Sequence, residues 1–134
     1  MSGEVTDIGS RLAAVGYAFS TLDELGDGVV RKIRPRLGIT AFGANAIVLA
    51  PGVASRPHSH ERQDELYFVH RGRASFRLPG ETRELGPGGL CHVEAATPRQ
   101  IVSIGDEDLV LVVVGAKDGY VGRDGQPADA SQLG

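Results

Sequence analysis

The chain has 134 residues and a net charge of −3, with acids and bases interspersed. That length predicts one domain able to bury a core, and no basic run or aromatic-plus-basic stripe points to nucleic acid. Cys91 is the single cysteine, which excludes an intrachain disulfide and predicts a reducing compartment. No apolar run reaches membrane-spanning length, and the first ten residues lack a secretory pattern, so a cytoplasmic protein without a membrane partner is expected.

Nineteen glycines and seven prolines separate short runs rich in Val, Ile, Leu and Phe. Residues 1–28 read as an N-terminal extension, with helical turns expected over 10–18 and 21–25. The first predicted strand, 29–33, is stopped by Pro35. The next, 42–49, ends at Pro51-Gly52. Residues 56–60 are expected to be extended, because Pro57 biases its predecessor away from helix. A strong strand at 65–70 turns at Gly72 into 74–78, and Pro79-Gly80 turns again into 82–85. Strands at 90–94, 100–104 and 109–114 complete the set, the last apolar throughout and so expected to be covered on both faces. Many short strands with regular turn signals predict an all-β sandwich or barrel over 29–121, followed by a polar tail at 122–134. Phe42, Ile47, Leu49, Phe76, Ile101 and residues 112–114 are the expected core.

One segment carries chemistry. His58 and His60 are separated by one residue, so an extended backbone points both side chains to one face. Glu65 lies five residues further on, past a polar turn (Glu61, Arg62, Gln63, Asp64), where the next strand can return its carboxylate. Two imidazoles and a carboxylate converging on one point can hold a divalent transition metal and leave coordination positions open. Alternation from Glu65 places Tyr67 and Val69 inside and His70 outside. Tyr67 is then either core or a cavity-lining hydroxyl able to orient a substrate.

Gly52, His58, His60, Glu65 and Gly72, at this spacing, resemble the first conserved motif of the cupin superfamily, and the similarity to its small single-domain members runs from about residue 29 to 114. The resemblance implies a double-stranded β-helix, a jelly-roll barrel. It also implies a mononuclear site in which His58, His60 and Glu65 hold Fe, Mn, Ni or Zn. The chemistry implied is dioxygenation, decarboxylation, isomerisation or epimerisation of a small organic molecule. The stretch 94–99, Glu94-Ala95-Ala96-Thr97-Pro98-Arg99, corresponds to the second motif, with Ser103 at its asparagine position. Arg99 stands where the fourth ligand, a histidine, is expected.

A guanidinium does not ligate cations and stays charged, which leaves three arrangements. Arg99 can pair with Glu65 inside the barrel and give a metal-free, small-molecule-binding module. It can instead point to the barrel mouth, beside an open 2-His-1-Glu site, and grip a carboxylate or phosphate of the substrate. Or His92 can supply the missing ligand, if Leu90 and His92 share the inner face; Cys91 then points outward. A homodimer is expected because jelly-roll edges need cover, with residues 10–33 as candidates to provide it.

Overall fold

In the computed structural model residues 16–134 are described. The extension at residues 1–15, and most of the helical turn expected over 10–18, lie outside the described residues. A 3₁₀ turn at Leu22–Leu25 precedes β1 (Val30–Lys32), and Pro35 ends β1 by opening a single helical turn, α1 (Arg34–Leu37). Strands β2 (Gly43–Leu49), β3 (His58–His60), β4 (Asp64–Arg71), β5 (Ala74–Leu78) and β6 (Glu81–Leu85) follow, then β7 (Leu90–Val93), β8 (Gln100–Ser103), β9 (Leu109–Ala116) and β10 (Gly125–Pro127). The nine expected strands are all present with ends displaced by at most two residues. Among the described residues no helix is long and apolar enough to cross a membrane.

The strands form two facing antiparallel layers. One is a five-stranded sheet in the order β1-β2-β9-β4-β7; the other contains β6-β5-β8 and the pair β10-β3. Backbone bridges from Ala54 to Val102 and from His58 to Arg99 lay the segment before β3 alongside β8, joining these two ladders into one layer. The core fills the space between the layers: Leu49, Tyr67, Val69, Val93, Leu109, Leu111 and Val113 from the first meet Ala74, Phe76 and Ile101 from the second. Strict alternation produces this. Along β9 buried and half-buried residues alternate without a break, so one face is core and the other is only partly covered.

Three expectations change. Residues 110, 112 and 114 are half-buried rather than core, on the outer face they share with Ala44 and Ala46, where Leu22 and Asp23 of the 3₁₀ turn lie beside Val110. Phe42 is 38% exposed, just before β2 begins. Residues 122–134 do not form a loose tail: β10 pairs with β3, Gly125 opposite His60 and Pro127 opposite His58, and Asp129 caps a closing 3₁₀ turn, Ala130–Gln132.

Of the two glycines that frame the histidine segment, both adopt positive φ, 82° at Gly52 and 80° at Gly72. Only Gly72 is also crowded, since a Cβ there would sit 2.5 Å from the Asp108 carbonyl oxygen. Gly72 thus lets β4 turn into β5 directly beneath the start of β9.

Candidate metal centre

Two strands and the segment before β8 deliver the site. His58 and His60 lie on β3, which is held extended from both sides, by β10 and by paired backbone bonds between His58 and Arg99 of 2.9 and 2.8 Å. Glu65 is the second residue of β4, with Tyr67 two residues on and on the same inner face. Arg99 precedes β8, and its bridge to His58 brings its side chain in behind Glu65.

One ligand atom from each of His58, His60 and Glu65 lies within 4.8 Å of the others. The rings of the two histidines stand edge to face, centroids 5.2 Å apart. Each ring has its Nδ1 already committed. His58 Nδ1 is 3.0 Å from the Arg56 carbonyl oxygen, and His60 Nδ1 is 2.8 Å from Asp124 Oδ1. Both partners only accept, so both Nδ1 atoms donate and leave Nε2 to face the site. His60 Nε2 is 3.2 Å from Glu65 Oε1 but off the line of a hydrogen bond, and it is a buried nitrogen without a partner. His58 Nε2 is 4.0 Å from the same oxygen. An orphaned, correctly tautomerised imidazole nitrogen beside a carboxylate is what a divalent ion would satisfy. The residues fit a metal as three ligands.

Glu65 Oε1 is the hub of the polar network. It accepts from Tyr67 Oη at 2.6 Å and from Arg99 Nη1 at 3.2 Å. Arg99 is fully buried, and its Nη2 donates to the Glu94 backbone carbonyl at 2.8 Å rather than to the Glu94 carboxylate. Among the described residues no hydrogen bond reaches Glu65 Oε2, which leaves one carboxylate oxygen for an ion. Arg99 therefore takes the first of the three sequence-derived positions, paired with Glu65, and not the one at the barrel mouth.

Burial by itself would raise the Glu65 pKa, but its contacts to His58, His60 and Tyr67 outweigh that and hold the carboxyl well below the usual range. Asp124 is 6% exposed, yet the side-chain and backbone N–H groups of Gln63, the backbone N–H of Arg62 and His60 overcome its desolvation and also hold it low. For His60, desolvation is overcome by Glu65 and Asp124, and its pKa is raised. Burial, then the Glu65 charge, pushes Tyr67 well above its ordinary value, so it stays a donor.

These shifts fix the sign of the pH dependence. The depressed carboxyls stabilise the fold above their unfolded pKa near 4 and lose that contribution as pH falls through their folded values; the raised histidine stabilises below about 6.5 and loses its share as pH rises through its folded value. Metal-free protein is expected to be most stable at about pH 5–6. Urea midpoints from pH 3 to 8 test this, and a profile rising steadily from pH 5 to 8 would contradict it.

His92 does not join the site. It pairs across β7–β4 with Leu66, on the exposed outer face, while Cys91 pairs with Tyr67 and turns inward. The expected alternation is reversed because Val93, opposite Glu65, takes the inner position. Burial pushes the Cys91 thiol up. The outer face also leaves Leu66, Phe68 and Leu90 exposed. Sequence reasoning missed Asp124, whose bond to His60 crosses 64 positions and carries no local signature.

A cavity of about 240 Å³ opens beside the centre, bordered by His60, Glu65, Gln63, Asn45, Val113 and Tyr120. Arg99 is not among its lining residues. The arrangement is that of a double-stranded β-helix with a His-x-His-and-Glu centre at one end of its core, next to a small cavity. The chain belongs to the Cupin_2 family: the model for the Cupin domain matches residues 46–115, just over half of it. It is similar to an uncharacterised protein of Streptomyces coelicolor, 35% identical over 60 residues, 45% of this chain and 54% of that one. The match thus spans about half the length of that curated relative. Among solved structures, a sugar phosphate isomerase of the cupin superfamily from Silicibacter pomeroyi superposes with TM-score 0.62 at 26% identity, covering 78% of this chain and 73% of the other. A cupin protein from Bacteroides fragilis gives TM-score 0.66 at 19% identity, over 87% and 92%.

Proposed function

We propose that His58, His60 and Glu65 hold a divalent transition metal (Fe, Mn, Ni or Zn) and that the protein acts on a small anionic organic molecule in the adjoining cavity. The observation that carries this reading is the pair of committed Nδ1 atoms, which leaves both Nε2 atoms free, with one ligand atom of each of the three residues within 4.8 Å of the others. Once bound there, such an ion supplies a Lewis acid or redox centre, as metal-dependent oxygenases, isomerases and decarboxylases require. Likeness to the Silicibacter pomeroyi sugar phosphate isomerase favours the isomerase class.

The chain's own residues have separate tasks. Asp124 holds the proton on His60 Nδ1 and so fixes the ring. Tyr67 and Arg99 keep Glu65 ionised and in place. Arg99 acts only through Glu65, as a positioning residue; buried behind it, Arg99 cannot serve as the substrate anchor expected from sequence. Gln63 and Val113 help to close the inner wall against solvent.

The Arg99–Glu65 ion pair favours a second reading, a metal-free cupin that binds its ligand without catalysis. Metal content separates the two. Protein purified without an affinity tag from cells given ample Fe, Mn, Zn and Ni is expected to carry about one ion per chain, and a His58→Ala/His60→Ala variant close to none. A wild-type ratio near zero would establish the second reading instead.

A further inference from the structure

We propose that Lys32, Arg34 and Arg123 form an anion-binding wall of the cavity at His60 and Glu65, and that the ligand is a small molecule bearing a phosphate monoester. This rests on the reading that the ligand occupies this cavity. Two separate stretches of chain bring the cations together: the junction of β1 and α1, with Lys32 and Arg34, and the segment between β9 and β10, with Arg123. Among the described residues, ion pairs engage Arg36, Arg71, Arg73, Arg83 and Arg99 but none of these three. The cavity's acidic residue is Glu65, already engaged by Arg99 and Tyr67. Its wall therefore carries uncompensated positive charge in a partly desolvated space, where a bound anion interacts more strongly than in open water.

One of the cations is held in place, and a second stands on an unusual backbone. The Arg34 guanidinium carbon lies 4.0 Å from the centroid of the Tyr120 ring, which also lines the cavity. Stacking of this kind orders the fork before any ligand arrives and lowers the entropy lost on binding. Arg123 has φ of 46°, in the left-handed region that favours glycine. An arginine kept in that conformation, directly before the aspartate that fixes His60, is strain of the kind that collects at functional sites.

Charge and size select the ligand. A phosphate monoester carries about −1.5 to −2 at neutral pH, with three acceptor oxygens, and suits three cations better than a single carboxylate does. The cavity lies below the roughly 300–1,000 Å³ of pockets for drug-sized molecules, so it suits a molecule of a few carbons. Lys32 and Arg123 are exposed at the mouth, whereas His60 and Glu65 are mostly shielded, their side chains 11% and 12% exposed. The phosphate therefore sits outward and the remainder of the molecule reaches the centre.

The test is calorimetric titration of the full chain, stripped of metal, with glycerol 3-phosphate, inorganic phosphate and acetate. Glycerol 3-phosphate is expected to bind at least tenfold more tightly than acetate. Arg34→Gln and Arg123→Gly are each expected to weaken it about tenfold, the effect of losing a charge-assisted contact. Arg83→Gln, whose arginine pairs with Glu81 on β6, is expected to change nothing. Because glycine relieves the positive φ, the thermal midpoint of Arg123→Gly should not fall, which separates lost binding from lost fold. Unchanged affinity in both variants, or no binding by the wild type, overturns the proposal; acetate binding as tightly as the phosphate ester overturns the ligand class. Phosphate binding by a wild-type protein that carries no metal as purified would sink the metal reading alone, and metal content without phosphate binding would sink this one alone.

Discussion

Arg99→Met is expected to destabilise the fold by about 3–5 kcal/mol, the range for removing one partner of a buried ion pair. The arginine has no exposed surface, and its loss removes the cation beside Glu65 Oε1 and the donor to the Glu94 carbonyl. Methionine approximates the volume, so the loss measured is electrostatic rather than a cavity effect. The same substitution should tighten metal binding. A unit charge about 6 Å from a divalent ion, at an effective dielectric near 20, opposes binding by about 5 kcal/mol. Arg99→His removes that repulsion and adds a fourth imidazole; chelator competition should show affinity at least tenfold above wild type. Opposite movements of stability and affinity in one variant would identify Arg99 as the residue that holds Glu65 at the expense of the ion. If Arg99→Met unfolds at the wild-type urea midpoint, the pair contributes nothing and the account of Glu65 fails.

The fold was readable because it rests on local signals. Alternation along 65–70 placed Tyr67 and Val69 inside and His70 outside, and glycine and proline marked the strand ends. The His58, His60 and Glu65 set was readable for the same reason: an extended HxH and a carboxylate just past a turn need only period-2 geometry to meet. What stayed hidden depends on distant pairing. Whether Arg99 turned toward Glu65 or the mouth was decided by its backbone bridge to His58, which no spacing encodes. Whether His92 faced inward was decided by the register of β7 on β4, where Val93 lies opposite Glu65; moving a register by one residue exchanges the two faces. Asp124 was hidden for another reason. A polar, glycine-rich end has the composition of a tail, yet three residues of pairing with β3 suffice to order it.

That ordered end gives Asp124 two tasks at once. Its Oδ2 accepts from the backbone N–H groups of Arg62 and Gln63 at 2.8 and 2.9 Å, and its Oδ1 faces His60 Nδ1 and the Gln63 amide. One carboxylate thus satisfies the turn that separates His60 from Glu65 and sets the tautomer of His60. Asp124→Ala leaves several buried donors unpaired, at about 1–3 kcal/mol each before relaxation, so a total loss near 3 kcal/mol is expected. Asp124→Asn separates structure from function. Its carbonyl oxygen can still accept from the turn, which limits the loss of stability to about 1 kcal/mol. An amide no longer pairs with His60 as an anion, however, and metal affinity should fall about 10- to 100-fold, as when other partners of metal-ligating histidines are removed. Isotope-resolved NMR of the His60 ring provides the independent readout: the Nδ1-protonated form should dominate in wild type and give way to a mixture in Asp124→Asn. A variant that keeps both the tautomer and the affinity would leave Asp124 a turn-stabilising residue only, and the geometry of His60 would have to be credited to β3 alone.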